Sequence, residues 1–137
     1  MNGRFKLVAA IFVLLIKEDK VFLIRRANTG WKDGTYSLIG GHLDGDERAT
    51  LAAVREAKEE AGVDIDPKNL KFFNISHLIT NTERIHLSFF TENWQGEARN
   101  NEPEKADGAD WFPIDNLPAP TTISPVTAAV PSAFPSR

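Results

Sequence analysis

Apolar residues run almost unbroken from Phe5 to Ile16 (FKLVAAIFVLLI), stop at the polar quartet Lys17–Lys20, and resume from Val21 to Arg26. Runs rich in Val, Ile and Leu, parted by a polar turn, predict a buried strand and its returning partner. Asn28–Gly34, with Asn, Thr, Asp and two glycines, reads as a loop. Tyr36–Ile39 reads as a short strand entering the pair Gly40-Gly41. Lys71–Thr80 and Ile85–Trp94 predict two further strands joined through Asn81–Glu83. Gln95–Gly108 reads as a long polar loop, Asp110–Pro113 as a short strand, and Ile114–Leu117 as a brief turn of helix.

Between these strands the period changes to that of a helix, from about Asp46 to Ala61, with Asp46 as candidate N-cap and Gly62 as terminator. At about 100° per residue, and with Leu51 at zero, Glu59, Glu56 and Glu60 fall at roughly 80°, 140° and 180°. Ala53, Val54, Ala57 and Ala61 fall between about 200° and 300°, a small apolar face able to pack on a sheet. Arg55, at about 40°, lies within i,i+4 reach of Glu59. Glutamates on a helix usually form a solvated face. Three on one arc repel one another, however, and invite a positive charge. Beside the exposed backbone of Gly40-Gly41 they are the raw materials of a site for a hard divalent cation such as Mg²⁺, which would hold a phosphate-bearing substrate.

The segment from Gly41 to Val63 resembles the signature of the Nudix hydrolases. That signature is Gly, five residues, Glu, seven residues, Arg-Glu, an apolar residue, one residue, Glu-Glu, one residue, Gly and an apolar residue. Here Gly41, Glu47, Arg55-Glu56, Ala57, Glu59-Glu60, Gly62 and Val63 fill it at the right spacing. RRANTGWKDGTYSLIGGH upstream and WQGEARNNEPEK…WFPIDNLP downstream are similar to the flanks of small MutT-like members. The resemblance implies an α/β fold, a Nudix-type α/β/α sandwich with a mixed central sheet and the signature helix packed on it. It implies one domain over residues 1–118, followed by a Pro-rich segment, 119–137, that is a short helix around Val126–Val130 or partly disordered. A short last helix would leave sheet uncovered, which a homodimer could cover.

The resemblance also assigns roles. Glu56, Glu59, Glu60 and the carbonyl of Gly40 would bind metal, Mg²⁺ with Mn²⁺ as substitute. Arg55 would orient the glutamates, Glu47 would support one or orient water, and Glu56 would be the base. A further metal-binding Glu comes from the loop after W-x-G-E, which by count is Glu102, with Glu104 as runner-up. Arg25 and Arg26 end a strand beside the site and could hold phosphate. Trp31, Tyr36 and Phe73 could stack on a base, and His42 follows Gly41 closely enough to face the site. Each also has a plain structural reading: solvated strand end, core or loop packing. Trp94 and Trp111 read as core. The sequence departs from the usual pattern at Ile39, where many members carry proline, and at Asp46, where many carry glycine.

Composition narrows the class. The chain has 137 residues, 42% of them hydrophobic, no cysteine and a net charge of −3. Such a chain suits one small domain with no disulfide frame, and a cytoplasmic setting. The acidic balance gives no general pull toward membrane or duplex DNA. Phosphate must then be held by metal and a few local cations. The expected reaction is hydrolysis of a diphosphate linkage in a nucleoside triphosphate or related nucleoside diphosphate derivative. His77–Thr82 lacks the proline and tyrosine that mark two other branches. The alternatives are a Nudix-fold module that senses a nucleotide without cutting it, which the intact signature disfavours, and an RNA 5′-triphosphate pyrophosphohydrolase, for which a basic groove would be expected.

Overall fold

The computed structural model describes residues 3–119. Seven strands and one α-helix follow one another along them: β1 (Val8–Lys17), β2 (Lys20–Arg26), β3 (Tyr36–Ser37), β4 (Ile39–His42), α1 (Ala49–Ala61), β5 (Lys71–Ile79), β6 (Glu83–Thr91) and β7 (Ala106–Pro113). A single 3₁₀ turn, Pro67–Asn69, precedes β5.

The sheet is mixed. β1 runs parallel to β6 along Val8–Leu15 and antiparallel to β4 on its other edge. β5 extends the β6 side. At its far end β1 turns into β2 through Glu18 and Asp19, both at positive φ, and pairs with it at Ile16–Val21 and Lys17–Lys20. β2 in turn carries β3 on one edge and β7 on the other.

Alternation sorts the strand residues onto two faces, as a period of two requires. Ile11, Val13 and Leu15 of β1 and Phe22 and Ile24 of β2 meet Ala52, Ala53, Ala57 and Ala61 of α1 in one core. Leu14 and Ile16, with Val21 and Leu23, form a second core on the opposite face with Leu38 and Ile114. Ala53, Ala57 and Ala61 pack as the wheel predicts, but Ala52, at about 100° between Glu59 and Glu56, is buried with them, so the packed arc is wider than the apolar face. Its small residues let the helix approach the sheet closely. Trp94 and Trp111 stack with centroids 5.8 Å apart against the first core, in keeping with their reading as core residues.

Several boundaries move, each for a physical reason. β1 begins at Val8, not Phe5, because its partner β6 begins there, Val8 facing Arg84; Phe5 is 71% exposed. β6 stops at Thr91, whose hydroxyl bonds the backbone of Asn93 on both its N–H and its carbonyl at 3.0 Å, turning the chain. β7 begins at Ala106, inside the expected loop, because β2 pairs with it from Lys20–Pro113 to Arg26–Ala106. Ile114–Leu117 forms a turn rather than helix. Asp46 is not the N-cap. The helix starts after Arg48, which makes no side-chain cap, and Asp46 stands at φ 65°. That backbone favours glycine and tolerates Asp, which accounts for glycine at this place in many members. The expectations for 119–137, including a helix at Val126–Val130 and the dimer tied to it, concern a segment whose residues 120–137 lie outside the described ones.

Candidate active site

Arg55 is the hub of the signature. Its guanidinium forks onto Glu47, Nε donating to Oε2 at 2.8 Å and Nη2 to Oε1 at 3.1 Å. Nη1 donates to Glu56 Oε1 at 2.8 Å and reaches Glu59 Oε2 at 3.4 Å. Nη2 also donates to the His42 carbonyl at 3.4 Å. Glu47 is brought under Arg55 by the turn before the helix, where the Asp44 N–H donates to its Oε1 at 3.2 Å. The i,i+4 pair with Glu59 thus exists, but the short bonds go to Glu47 and Glu56. The bond from Arg55 holds the Glu47 carboxyl below its ordinary value, and the Arg55 pKa is raised, foremost by that same bond.

Glu60 lies deeper, buried between Glu56 and β4. The Gly40 N–H donates to its Oε2 at 3.1 Å. Burial pushes its carboxyl well above the usual range, and Glu56 alongside adds to the shift. The two glycines exist for close approach. A Cβ on Gly41 would strike the Glu56 carboxylate, with Cδ at 2.7 Å, and one on Gly40 would strike the Ile11 carbonyl and Phe12. Gly62 ends the helix at φ 70°, the left-handed cap that glycine favours.

A pocket of about 250 Å³ opens above these carboxylates. Gly40, Gly41, Glu56, Glu59, Glu60 and Glu102 line it, joined by Ile24, Arg26, Thr29, Asn100, Lys105 and Ala106. Glu102 therefore reaches the site from the loop before β7, and Glu104 is not in the lining. Burial raises the Glu102 carboxyl, while Lys105 pulls it down and the charges of Glu104, Glu59 and Glu56 add to the rise.

Oxygen donors on a glycine backbone suit a hard divalent cation. The buried Glu60 beside Glu56 is a second sign of fit, since crowded carboxylates ionise more readily next to a cation. As the side chains stand, no three acidic or histidine side chains among the described residues converge on one point. Arg55 Nη1 occupies oxygens of Glu56 and Glu59 instead.

The sequence profile of the NUDIX domain matches residues 6–131. The chain belongs to the Nudix family. Over 114 residues it is 32% identical to an NAD-capped RNA hydrolase NudC of Stutzerimonas stutzeri, covering 83% of this chain and 39% of that protein. Over 112 residues it is 30% identical to an ADP-ribose pyrophosphatase of Methanocaldococcus jannaschii, covering 80% of this chain and 63% of that one. The chain thus spans about two fifths of the NudC relatives it matches. In fold, it is similar to a MutT NUDIX hydrolase from Burkholderia pseudomallei, with TM-score 0.79 and 23% identity over 94% of this chain and 96% of that one. The E. coli ORF135 protein gives TM-score 0.71 at 18% identity, over 93% of this chain and 92% of that one. The fold is accordingly the Nudix α/β/α sandwich that the signature implied. No helix among the described residues is long and apolar enough to cross a membrane.

The remaining candidates of this Nudix chain fall in different places. Arg26 lines the pocket, while Arg25 points elsewhere, to Asp107 at 3.2 Å and the Gly34 carbonyl at 3.3 Å. Arg26 also holds the 28–34 loop, donating to the Trp31 carbonyl at 2.9 Å and to Thr29 Oγ1 at 3.2 Å. Trp31 is 55% exposed and outside the pocket lining, with the Arg26 guanidinium 5.0 Å and the Lys32 ammonium 5.4 Å from its ring centre. The His42 side chain is exposed and outside the pocket lining. Phe73 and Tyr36 pack on the second core, the face opposite the helix, Phe73 against Phe90 and Tyr36 against Phe112. The sequence reading missed Lys105, Thr29 and Asn100. A signal for Lys105 was at hand in EPEK, three residues after Glu102. Among the described residues its ammonium makes no hydrogen bond or ion pair.

Proposed function

We propose that this chain hydrolyses a phosphoric anhydride, with a nucleoside diphosphate derivative as substrate. One observation carries the reading: a single pocket sets Glu56, Glu59, Glu60 and Glu102 beside Arg26 and Lys105. Carboxylates supply the seat for Mg²⁺, with Mn²⁺ as substitute; the carbonyl of Gly40 would complete it. When bound, the cation neutralises charge on the phosphates and sharpens a water. Arg26 and Lys105 bind the diphosphate oxygens. Arg55, itself fixed by Glu47, sets the Glu56 carboxylate, which takes the proton of the attacking water. That water bonds to phosphorus as the bridging P–O bond breaks. The exposed Trp31, next to Arg26 and Lys32, is the aromatic ring on which a base would stack. Arg25, His42 and Phe73 are left without a substrate role.

Similarity to proteins named for NAD-capped RNA and ADP-ribose supports a diphosphate joined to a second group over a triphosphate. A Mg²⁺ and Mn²⁺ assay over ADP-ribose, NAD, nucleoside triphosphates and a capped RNA, with products identified, tests this. Cleavage of ADP-ribose or NAD at the central anhydride is expected. Binding without turnover across the whole panel would leave a sensing module instead.

A further inference from the structure

A helix ends with four carbonyls that have no partner inside it. In α1 these belong to Lys58, Glu59, Glu60 and Ala61. Gly62 N–H reaches the first at 3.1 Å. The rest are met by the loop that carries Glu102. Asn101 Nδ2 donates to the carbonyls of Lys58 at 3.1 Å and Glu59 at 3.2 Å. The backbone N–H of Asn101 donates to the Glu60 carbonyl, and that of Arg99 to the Ala61 carbonyl, both at 3.0 Å. The residue after this fastening is Glu102.

The other side of the loop is tied to the opposite wall. Asn100 Nδ2 donates to the Ala106 carbonyl at 2.7 Å, and its Oδ1 accepts from the Glu102 N–H at 3.2 Å. Ala106 opens β7 and pairs with Arg26. Glu102 is thus suspended between the end of α1 and the start of β7. Its loop is distant in sequence from the helix; Ala98 and Ala106 at its two ends meet the first core, while Arg99 and Asn101 between them are exposed.

We propose that Asn101 is a positioning residue, fastening the Glu102 loop to the carbonyls that end α1 so that Glu102 keeps its place relative to Glu59 and Glu60. This rests on the reading that Glu102 works with those carboxylates in hydrolysis. A side chain that only caps a helix would be worth the same whether or not residue 102 is acidic. One that acts through Glu102 would not.

The test is a double-mutant cycle of Asn101→Ala and Glu102→Gln on the full chain, followed by steady-state kinetics, thermal melting and Mn²⁺ affinity by electron paramagnetic resonance with Mn²⁺ alone. Asn101→Ala is expected to lower kcat about tenfold, the scale of an outer-shell partner, and to weaken Mn²⁺ binding, with KM little changed. In the Glu102→Gln background the same change is expected to leave kcat and Mn²⁺ affinity within about twofold, the two losses being one loss. Equal fold losses in both backgrounds would overturn the fastening while leaving the role of Glu102 intact. Wild-type turnover and Mn²⁺ affinity in Glu102→Gln would overturn both.

Discussion

Two carboxylates on the helix wall of the pocket are set by partners that come with the signature: Glu56 by Arg55, itself gripped by Glu47 outside the pocket, and Glu60 by the Gly40 N–H. On the loop wall, Arg26 spends its hydrogen bonds on the 28–34 loop and Lys105 makes none among the described residues. One wall is preorganised by its own sequence. The other presents charge that a substrate can engage. A phosphate-transfer site needs both: fixed groups where the chemistry occurs, and cations whose best partner is the substrate. The contrast predicts that damage to the helix wall, or to Glu102 fastened at its end, appears in kcat, and damage to the loop-wall cations Arg26 and Lys105 in KM.

The largest effect should come from Glu60→Gln, with a sign that separates function from stability. The Glu60 carboxyl in the fold lies above its usual 4.5. Protonation therefore favours the fold: that contribution is full below about pH 4.5 and is lost as the pH rises through the folded value. At neutral pH, well above the unfolded value, keeping Glu60 buried beside Glu56 carries a cost that a bound cation would offset. A glutamine removes the cost and can still accept from the Gly40 N–H. Metal-free Glu60→Gln should melt at a higher temperature than the wild type at pH 7 while Mg²⁺-dependent turnover falls by more than about 100-fold. Glu59→Gln, half exposed, should lose turnover without that gain. Near wild-type rates in both variants would remove these residues from the metal seat.

Arg55→Lys comes next. A lysine keeps the charge but not the fork that grips Glu47 while reaching Glu56. Hydrogen bonds to charged groups are worth about 1.5–3 kcal/mol each, so both stability and kcat should fall, kcat by about 10–100-fold. If kcat holds while KM rises, Arg55 belongs with the loop wall and the contrast between the walls is wrong.

On the loop wall, Lys105→Ala should raise KM about tenfold with a much smaller change in kcat and little change in melting temperature, since the ammonium makes no hydrogen bond or ion pair among the described residues. Arg26→Ala should raise KM too, but it also frees Trp31 and the 28–34 loop, so its melting temperature should drop. Matching stability losses in the two variants would show that Lys105 is structural after all.

The difference between the walls also explains what could be read in advance. The helix wall lies within one stretch of chain, Gly41 to Val63, where spacing alone fixes which residues share a face. The loop wall is assembled from β2, the loop before β7 and the 28–34 loop, brought together by the Arg26–Ala106 pairing. No local period encodes that. Arg25 and Arg26 looked alike in sequence; alternation along β2 puts Arg26 with Ile24 on the helix side, and the bulge at Arg25–Arg26 blurs the pattern there. Phe73 was misleading for a similar reason: the register shift between Phe72 and Asn74 accompanies its place on the second core. Lys105 sat in plain view in EPEK, but among the described residues it makes no hydrogen bond or ion pair by which to judge it.

The smallest effect tests the entry to the helix wall. Asp46 holds φ 65°, where a residue with a side chain is strained by roughly 1–2 kcal/mol, and less for Asp than for most. Glycine relieves the strain in the fold but adds freedom to the unfolded chain, which offsets up to about 1 kcal/mol. Asp46→Gly should therefore change stability by no more than about 1 kcal/mol, in the stabilising direction if strain outweighs the added freedom. The turn it occupies delivers Glu47 to Arg55, so kcat should stay at the wild-type value, as expected of a position where many members carry glycine. Chemical denaturation paired with steady-state kinetics reads both quantities. A clear loss of kcat at unchanged stability would mean that the Asp46 carboxylate, and not just its backbone, belongs to the preorganised wall.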